Sequence, residues 1–236
     1  MTCNLLNVDA FALLGGLADD SVDHVLTDLP YDEKTHAGQR SIGATESMID
    51  FRPVNDEQIA IFVSEALRVA KRWVITFCAL EQFGAYQNAA GESWIRSGVW
   101  IRWSGPQYSG DRPAQQAEGV AIMHRPGRKT WNGGGHGALW NFPSERHDRV
   151  GPCQKPLPLM LRMIEQFTDE DDLILDPFSG VGSTAVACIR SKRRFLGCEL
   201  VPATHAVALE RIAAERQGLT LEAARSGQTS LLEGLR

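Results

Sequence analysis

Asp28-Leu29-Pro30-Tyr31 puts a carboxylate, a backbone carbonyl and an aromatic ring on consecutive residues, and those groups suit one demanding task. A nitrogen attached to a heteroaromatic ring has its lone pair drawn into the ring and is a poor nucleophile. Two acceptors, here the Asp28 carboxylate and the Leu29 carbonyl, can take its two hydrogens and turn the lone pair outward, while Tyr31 stacks on the extruded ring. Pro30 biases Leu29 to extended backbone and so sets the direction of that carbonyl. A plain Asx turn with a core tyrosine explains a lone tetrapeptide equally well.

A second cluster lies far downstream. Leu173 to Asp176 reads as an apolar strand stopped by Pro177; Gly180 and Gly182 then open a tight turn into a small-residue helix, Ser183 to Ile189. Glycine lets a backbone approach a ligand closely, and the helix start behind it presents N–H groups. Phe195 to Cys198 forms the next strand and ends on Glu199, about 20 residues beyond the first glycine, where nucleotide-binding βαβ units place an acid on ribose hydroxyls. Gly180, Gly182 and Ala185 satisfy a dinucleotide pattern, so an NAD-dependent oxidoreductase and an S-adenosylmethionine enzyme both remain open on these residues.

The elements that must carry these clusters follow from apolar spacing. Strands are expected at Leu5–Val8, Val22–Thr27, Trp73–Cys78, Trp94–Trp103 and Gly119–His124. Helices are expected at Ala10–Leu17, Asp56–Ala70 with Asn55 as N-cap, Leu80–Ala90, Leu159–Phe167 and Ala203–Ala214. Asp32 to Asn55 has no period and reads as a functional loop. Trp131 to His136 contains three successive glycines, suited either to a plain connector or to a tip that orders on a ligand. Arg225 to Arg236 reads as a frayed tail. Asp9, Asp28, Asp176 and Glu199 all fall at the carboxyl ends of strands, the rim at which open α/β sheets bind ligands.

With 236 residues, 43% of them hydrophobic, the chain can bury a sizeable core as one α/β domain. It has neither an apolar run of membrane-spanning length nor a leader-like start, so a cytoplasmic protein is expected. The five cysteines never form a C-x-x-C pair, which favours buried thiols over a disulfide framework or a metal site; no metal ligand set is expected. The net charge of −5 is unevenly spread, for residues 93–150 carry eight Lys and Arg against four Asp and Glu, with five of the six tryptophans. Basic groups among aromatics suit phosphate contact and base stacking; an ordinary solvated insertion has the same composition.

Asp28-Leu29-Pro30-Tyr31 ahead of Asp176-Pro177-Phe178-Ser179-Gly180-Val181-Gly182-Ser183-Thr184 resembles the amino-group DNA methyltransferases in their β-class order, over nearly the whole chain. The Ser104–Glu118 loop, with Gly105-Pro106 and Gly110-Asp111-Arg112-Pro113, followed by the Gly-rich Trp131–His136 stretch, resembles the phage and prophage branch. That likeness implies a three-layer α/β, Rossmann-like S-adenosylmethionine-dependent methyltransferase fold. It would be circularly permuted, with the N-terminal strands docked beside those of Leu173 and Phe195. It implies one domain over residues 1–236, with residues 32–55 as an active-site loop and residues 104–150 as a DNA-contacting insertion. The implied activity is methyl transfer, of the restriction-modification kind, to the exocyclic amine of a flipped base in double-stranded DNA. Adenine N6 is the implied target, since aspartate and not serine leads the tetrapeptide. Cytosine N4, an RNA or protein substrate, and a catalytically weak DNA-binding relative are the alternatives, and a homodimer is left open.

The residues this implies are Asp28, Leu29, Pro30 and Tyr31 for catalysis. S-adenosylmethionine would be held by Asp9, Ala10, Asp28, Lys155, Asp176, Phe178, Ser179, Gly180, Gly182, Ser183, Thr184, Glu199 and Leu200. Lys155 enters because Lys155-Pro156 matches the core of a family element in that pocket. DNA contacts are expected from Lys34, His36, Arg40, Arg102, Arg112, Arg128 and Lys129. Leu29 stands where the family usually has proline, which keeps the carbonyl but frees one φ angle.

Overall fold

Side chains alternate across a strand, so a run apolar at every position must be covered on both faces. Trp73–Cys78 is nearly such a run, interrupted by Thr76 alone and buried throughout, and the architecture follows from it. The computed structural model describes residues 2–30, 54–102, 113–145, 149–151 and 154–227. In chain order the elements are β1 (Cys3–Leu6), α1 (Ala10–Gly16), β2 (His24–Asp28), α2 (Asp56–Val69), β3 (Trp73–Cys78), α3 (Phe83–Ala90), β4 (Trp94–Ile101), β5 (Ala117–His124), β6 (Leu139–Asn141), α4 (Leu157–Phe167), β7 (Leu173–Asp176), α5 (Ser183–Arg190), β8 (Arg194–Cys198), α6 (Pro202–Arg216) and α7 (Leu221–Arg225).

The strands form one sheet in the order β1-β8-β7-β2-β3-β5-β4-β6. From β1 to β3 all neighbours are parallel; β5 runs antiparallel between β3 and β4, and β6 lies parallel to β4. The N-terminal strands therefore flank the β7–β8 pair, β1 beside β8 and β2 beside β7, as the motif order implied. One face buries Leu26, Ile75 and Phe77 under residues of α4, α5 and α6. The other buries Val25, Val74 and Cys78 under α1, α2 and α3. The result is three layers.

Local chemistry sets the ends. Asn55 accepts from Gln58 N at 2.9 Å while the Gln58 side chain accepts from Asn55 N at 3.1 Å, a reciprocal cap that starts α2 where its apolar period begins. Pro156 is the N-cap of α4 and a proline follows in its first turn, where a missing N–H costs nothing.

Two expectations need correction. β1 begins two residues earlier than its apolar pattern suggested: Leu6 and Val8 are 41% and 39% exposed, and pairing with β8 sets the register. Of the span 104–150, expected as an insertion, the described β5 is an interior strand and β6 extends the same sheet; three residues are too few to show a period. Residues 221–225 form α7, capped by Thr220; most of the tail expected from Arg225 to Arg236 lies outside the described residues.

Candidate active site

β2 and β7 are parallel neighbours, and each ends in an aspartate. Thr27 Oγ1 donates to Asp176 Oδ1 at 2.6 Å, and the Phe178 N–H donates to the same oxygen at 3.1 Å. Burial dominates these bonds and pushes the Asp176 carboxyl up to about 6, so the group resists ionising where it sits. The turn beyond is tied down by Ser179 Oγ on Asp176 O at 2.8 Å, Ser179 N on Cys198 O at 3.0 Å, and Gly182 N on Ser179 O at 2.8 Å.

Gly180 and Gly182 both have positive φ, 51° and 81°, a region L side chains avoid. Their surroundings differ. A Cβ at Gly182 would lie 3.3 Å from the Ala208 Cβ, whereas one at Gly180 would meet no heavy atom within 4 Å. Gly180 thus faces open space, and Gly182 is pressed against α6. Gly197 on β8 also serves the turn: a Cβ there would be 2.4 Å from Ser179 Oγ. It reads in sequence as an ordinary strand residue, and only the approach of the turn shows its role.

Glu199 directly follows β8 and is 3% exposed. One of its oxygens accepts from Gly180 N at 3.0 Å and the other from Val201 N at 2.8 Å; burial still raises its pKa. Asp9 sits three residues past β1 and caps α1, accepting from Ala12 N at 3.0 Å. Ala10 is buried just behind it, and Leu200 is 59% exposed. The Phe178 ring stands edge-on to Phe11 and Phe62, with centroids 6.1 and 6.2 Å away. Thr184 is buried and bonds to Asp176. Ser183 Oγ is buried with no hydrogen-bond partner among the described residues.

The other half of the site is ionic. Lys155, from the segment leading into α4, places its ammonium on Asp28 Oδ2 and 3.2 Å from Glu118 Oε2. Arg102 lies 3.2 Å from the other Glu118 oxygen. Lys155 Nζ also lies 4.8 Å from the Phe77 ring centroid and 5.7 Å from that of Trp100, an arrangement that favours a cation. So Lys155, expected in the cofactor pocket, is engaged with Asp28. Glu118 went unnoticed in sequence, since an acid within an apolar strand carries no motif. Leu29 is 1% exposed and belongs to the core under α2 and α3, which anchors it by packing instead of by ring constraint; its neighbour Pro30 closes the described part of the tetrapeptide.

Tyr31, Lys34, His36, Arg40 and Arg112, with most of the 32–55 loop, lie outside the described residues. Arg128 and Lys129 follow β5 at the end of the sheet opposite Asp28. β5 is antiparallel to β3, with His124 opposite Trp73 and Val120 opposite Phe77, and Phe77 is the register partner of Asp28. The chain after His124 therefore leaves at the far edge, where Thr130 O accepts from Trp73 Nε1 at 2.5 Å. The Gly-rich stretch is held there too, by Asn132 N on Gln166 O at 2.8 Å.

The DNA methylase family of the N6/N4 type matches residues 22–210. Over 65 residues, 26% of this chain and 24% of the relative, the sequence is 43% identical to the type II methyltransferase M2.MboI of Moraxella bovis. Over 68 residues, 27% of this chain and 23% of the relative, it is 38% identical to the DNA adenine methyltransferase YhdJ of Escherichia coli strain K12. The matched stretches thus span about a quarter of these curated relatives. Among solved structures, the complex of M1.HpyAVI with SAM has the same fold, with a TM-score of 0.67 and 22% identity over 90% of this chain and 99% of that one.

Proposed function

Since this chain belongs to the N6/N4 family of DNA methylases, matched over residues 22–210, we propose that it transfers a methyl group from S-adenosylmethionine to an exocyclic amine of a base extruded from double-stranded DNA, and that the amine is adenine N6. One observation carries this reading. The acceptor carboxylate of Asp28 and the glycine turn stand at the same ends of adjacent parallel strands, bridged by the bond from Thr27 to Asp176.

The turn suits the methyl donor. Gly180 leaves the space of a side chain open, Ser183 Oγ is a buried hydroxyl without a partner among the described residues, and Glu199 accepts from Gly180 N. Ser179, Gly180, Ser183, Thr184 and Glu199 would hold the nucleoside, with Asp176 and Phe178 beneath, Asp9 and Ala10 at the start of α1, and Leu200 at the edge. When bound, S-adenosylmethionine supplies an electrophilic methyl on sulfur and departs as a neutral thioether. Asp28 and the Leu29 carbonyl accept the two N–H groups of the amine and orient its lone pair. As nitrogen bonds carbon and the carbon–sulfur pair goes to sulfur, the amine gives up one proton on the Asp28 side. Tyr31 is proposed to stack on the base, and Lys34, His36, Arg40 and Arg112 to touch the strand around it. Aspartate in place of serine at position 28 and the likeness to an adenine methyltransferase support adenine.

Nucleoside mass spectrometry of DNA incubated with the protein and S-adenosylmethionine tests this. N6-methyladenine is the expected product. N4-methylcytosine alone refutes the choice of base, and methyl groups found only in RNA or protein refute the substrate class.

A further inference from the structure

A carboxylate that must accept hydrogen bonds from an incoming amine is occupied, in this structure, by a lysine. Lys155 is 7% exposed, and so is Glu118, so neither charge has bulk water to fall back on. The ammonium spans the two carboxylates, Asp28 at the end of β2 and Glu118 on β5. Glu118 is tethered in turn by Arg102. If the base amine takes hydrogen-bonding capacity from Asp28, the ammonium needs somewhere to remain, and Glu118 is that place.

We infer that Glu118 is a positioning residue for the transfer reaction: it is a second seat for the Lys155 ammonium, which holds Asp28 ionised between turnovers and shifts toward Glu118 when the target amine arrives. This rests on the methyl-transfer reading above. The charged or titratable groups around Asp28 include Lys155 and Glu118, with Asp176, Cys78 and Tyr86 close enough to feel its charge. Without the ammonium, Asp28 and Glu118 would be like charges in a poorly solvated site, and one would tend to take a proton.

The arrangement predicts a sign that a merely structural role does not. Lys155→Met should slow transfer by at least about 100-fold at neutral pH, as uncompensated buried charge commonly does, and should move the acid limb of the pH–rate profile to higher pH. Adding Glu118→Gln to Lys155→Met removes the repulsion, and should recover about tenfold in rate and return the limb toward the wild-type position. Glu118→Gln alone, which preserves shape, should lower kcat about tenfold while leaving the affinity for S-adenosylmethionine unchanged by calorimetry, because the ammonium then clings to Asp28. A double variant no faster than Lys155→Met, in an otherwise active wild type, overturns this inference alone. A wild-type chain that methylates nothing overturns it together with the methyl-transfer reading. If the lysine variants do not fold, Glu118→Gln decides by itself: wild-type kcat excludes the role.

Discussion

Two aspartates that end neighbouring parallel strands are given opposite tasks by their surroundings. Asp176 is sealed in, and burial lifts its carboxyl from 3.8 to about 6. A folded-state pKa above the unfolded value means that the fold is favoured with the proton on, so stability present below about pH 4 is lost as pH rises through about 6. Asp176→Asn removes that loss. It should raise the unfolding free energy at pH 8 relative to pH 4 by on the order of 2 kcal/mol compared with the parent, while weakening S-adenosylmethionine binding; a pH series of thermal melts checks the first part and calorimetry the second. Asp28, by contrast, is partly open and ion-paired. Asp28→Ala should cost at least about 100-fold in transfer with near-normal cofactor affinity, since the acceptor is used in the reaction, whereas Glu199→Ala should weaken the cofactor first because it also releases Gly180 N and Val201 N. Retention of near-parental turnover by Asp28→Ala would remove it from the catalytic role.

At the scale of elements, most strands and helices were legible because apolar periods of two and of about 3.6 are written in consecutive side chains. β6 was not, for three residues have no period, and its place is decided by pairing with β4. Glu118 was invisible for a related reason: its partners Lys155 and Arg102 come from remote segments, so no spacing in the chain announces it. Composition could not tell that Arg128 and Lys129 leave their strand at the end opposite Asp28. The glycine turn could be read as a motif, but not which glycine does what. Gly180→Ala and Gly182→Ala each force a side chain to positive φ, at a cost of about 1–2 kcal/mol. Only Gly182→Ala also presses on Ala208, so it should be the less stable of the two in urea unfolding. Gly180→Ala should instead fill the space offered to the nucleoside, and lose most cofactor affinity for a modest loss in stability. An alanine at 180 that binds S-adenosylmethionine like the parent would mean that the open side of the turn faces something else.

Across the whole molecule, the two ends of the sheet are built differently. At the carboxyl end, burial raises Asp176 and Glu199. At the amino end, burial also opposes ionisation of Asp23 and Asp172, but the Leu173 N–H and Lys71 hold the first, and His24, the Asp169 N–H and Arg72 hold the second, below the usual carboxylate range. Those two stabilise the fold above about pH 4 and lose that contribution as pH falls, so the amino end acts as the fastened end while the carboxyl end keeps its acids for chemistry. This division bears on where DNA lies. With a net charge of −5, the protein can attract a polyanion only through a local basic surface, and affinity should fall steeply with salt as counterions are released. Arg128 and Lys129 leave the sheet at the fastened end, beside Trp73 and Thr130, a strand's length from Asp28. An extruded base seated at Asp28 brings its flanking phosphates to the carboxyl end. Arg128→Gln with Lys129→Gln should therefore leave DNA affinity within about twofold and the slope of log K against log salt unchanged, where two lost phosphate contacts would lower that slope by about 2. Fluorescence anisotropy across a salt series measures both quantities, and a slope reduced by that amount would put the DNA across the amino end after all.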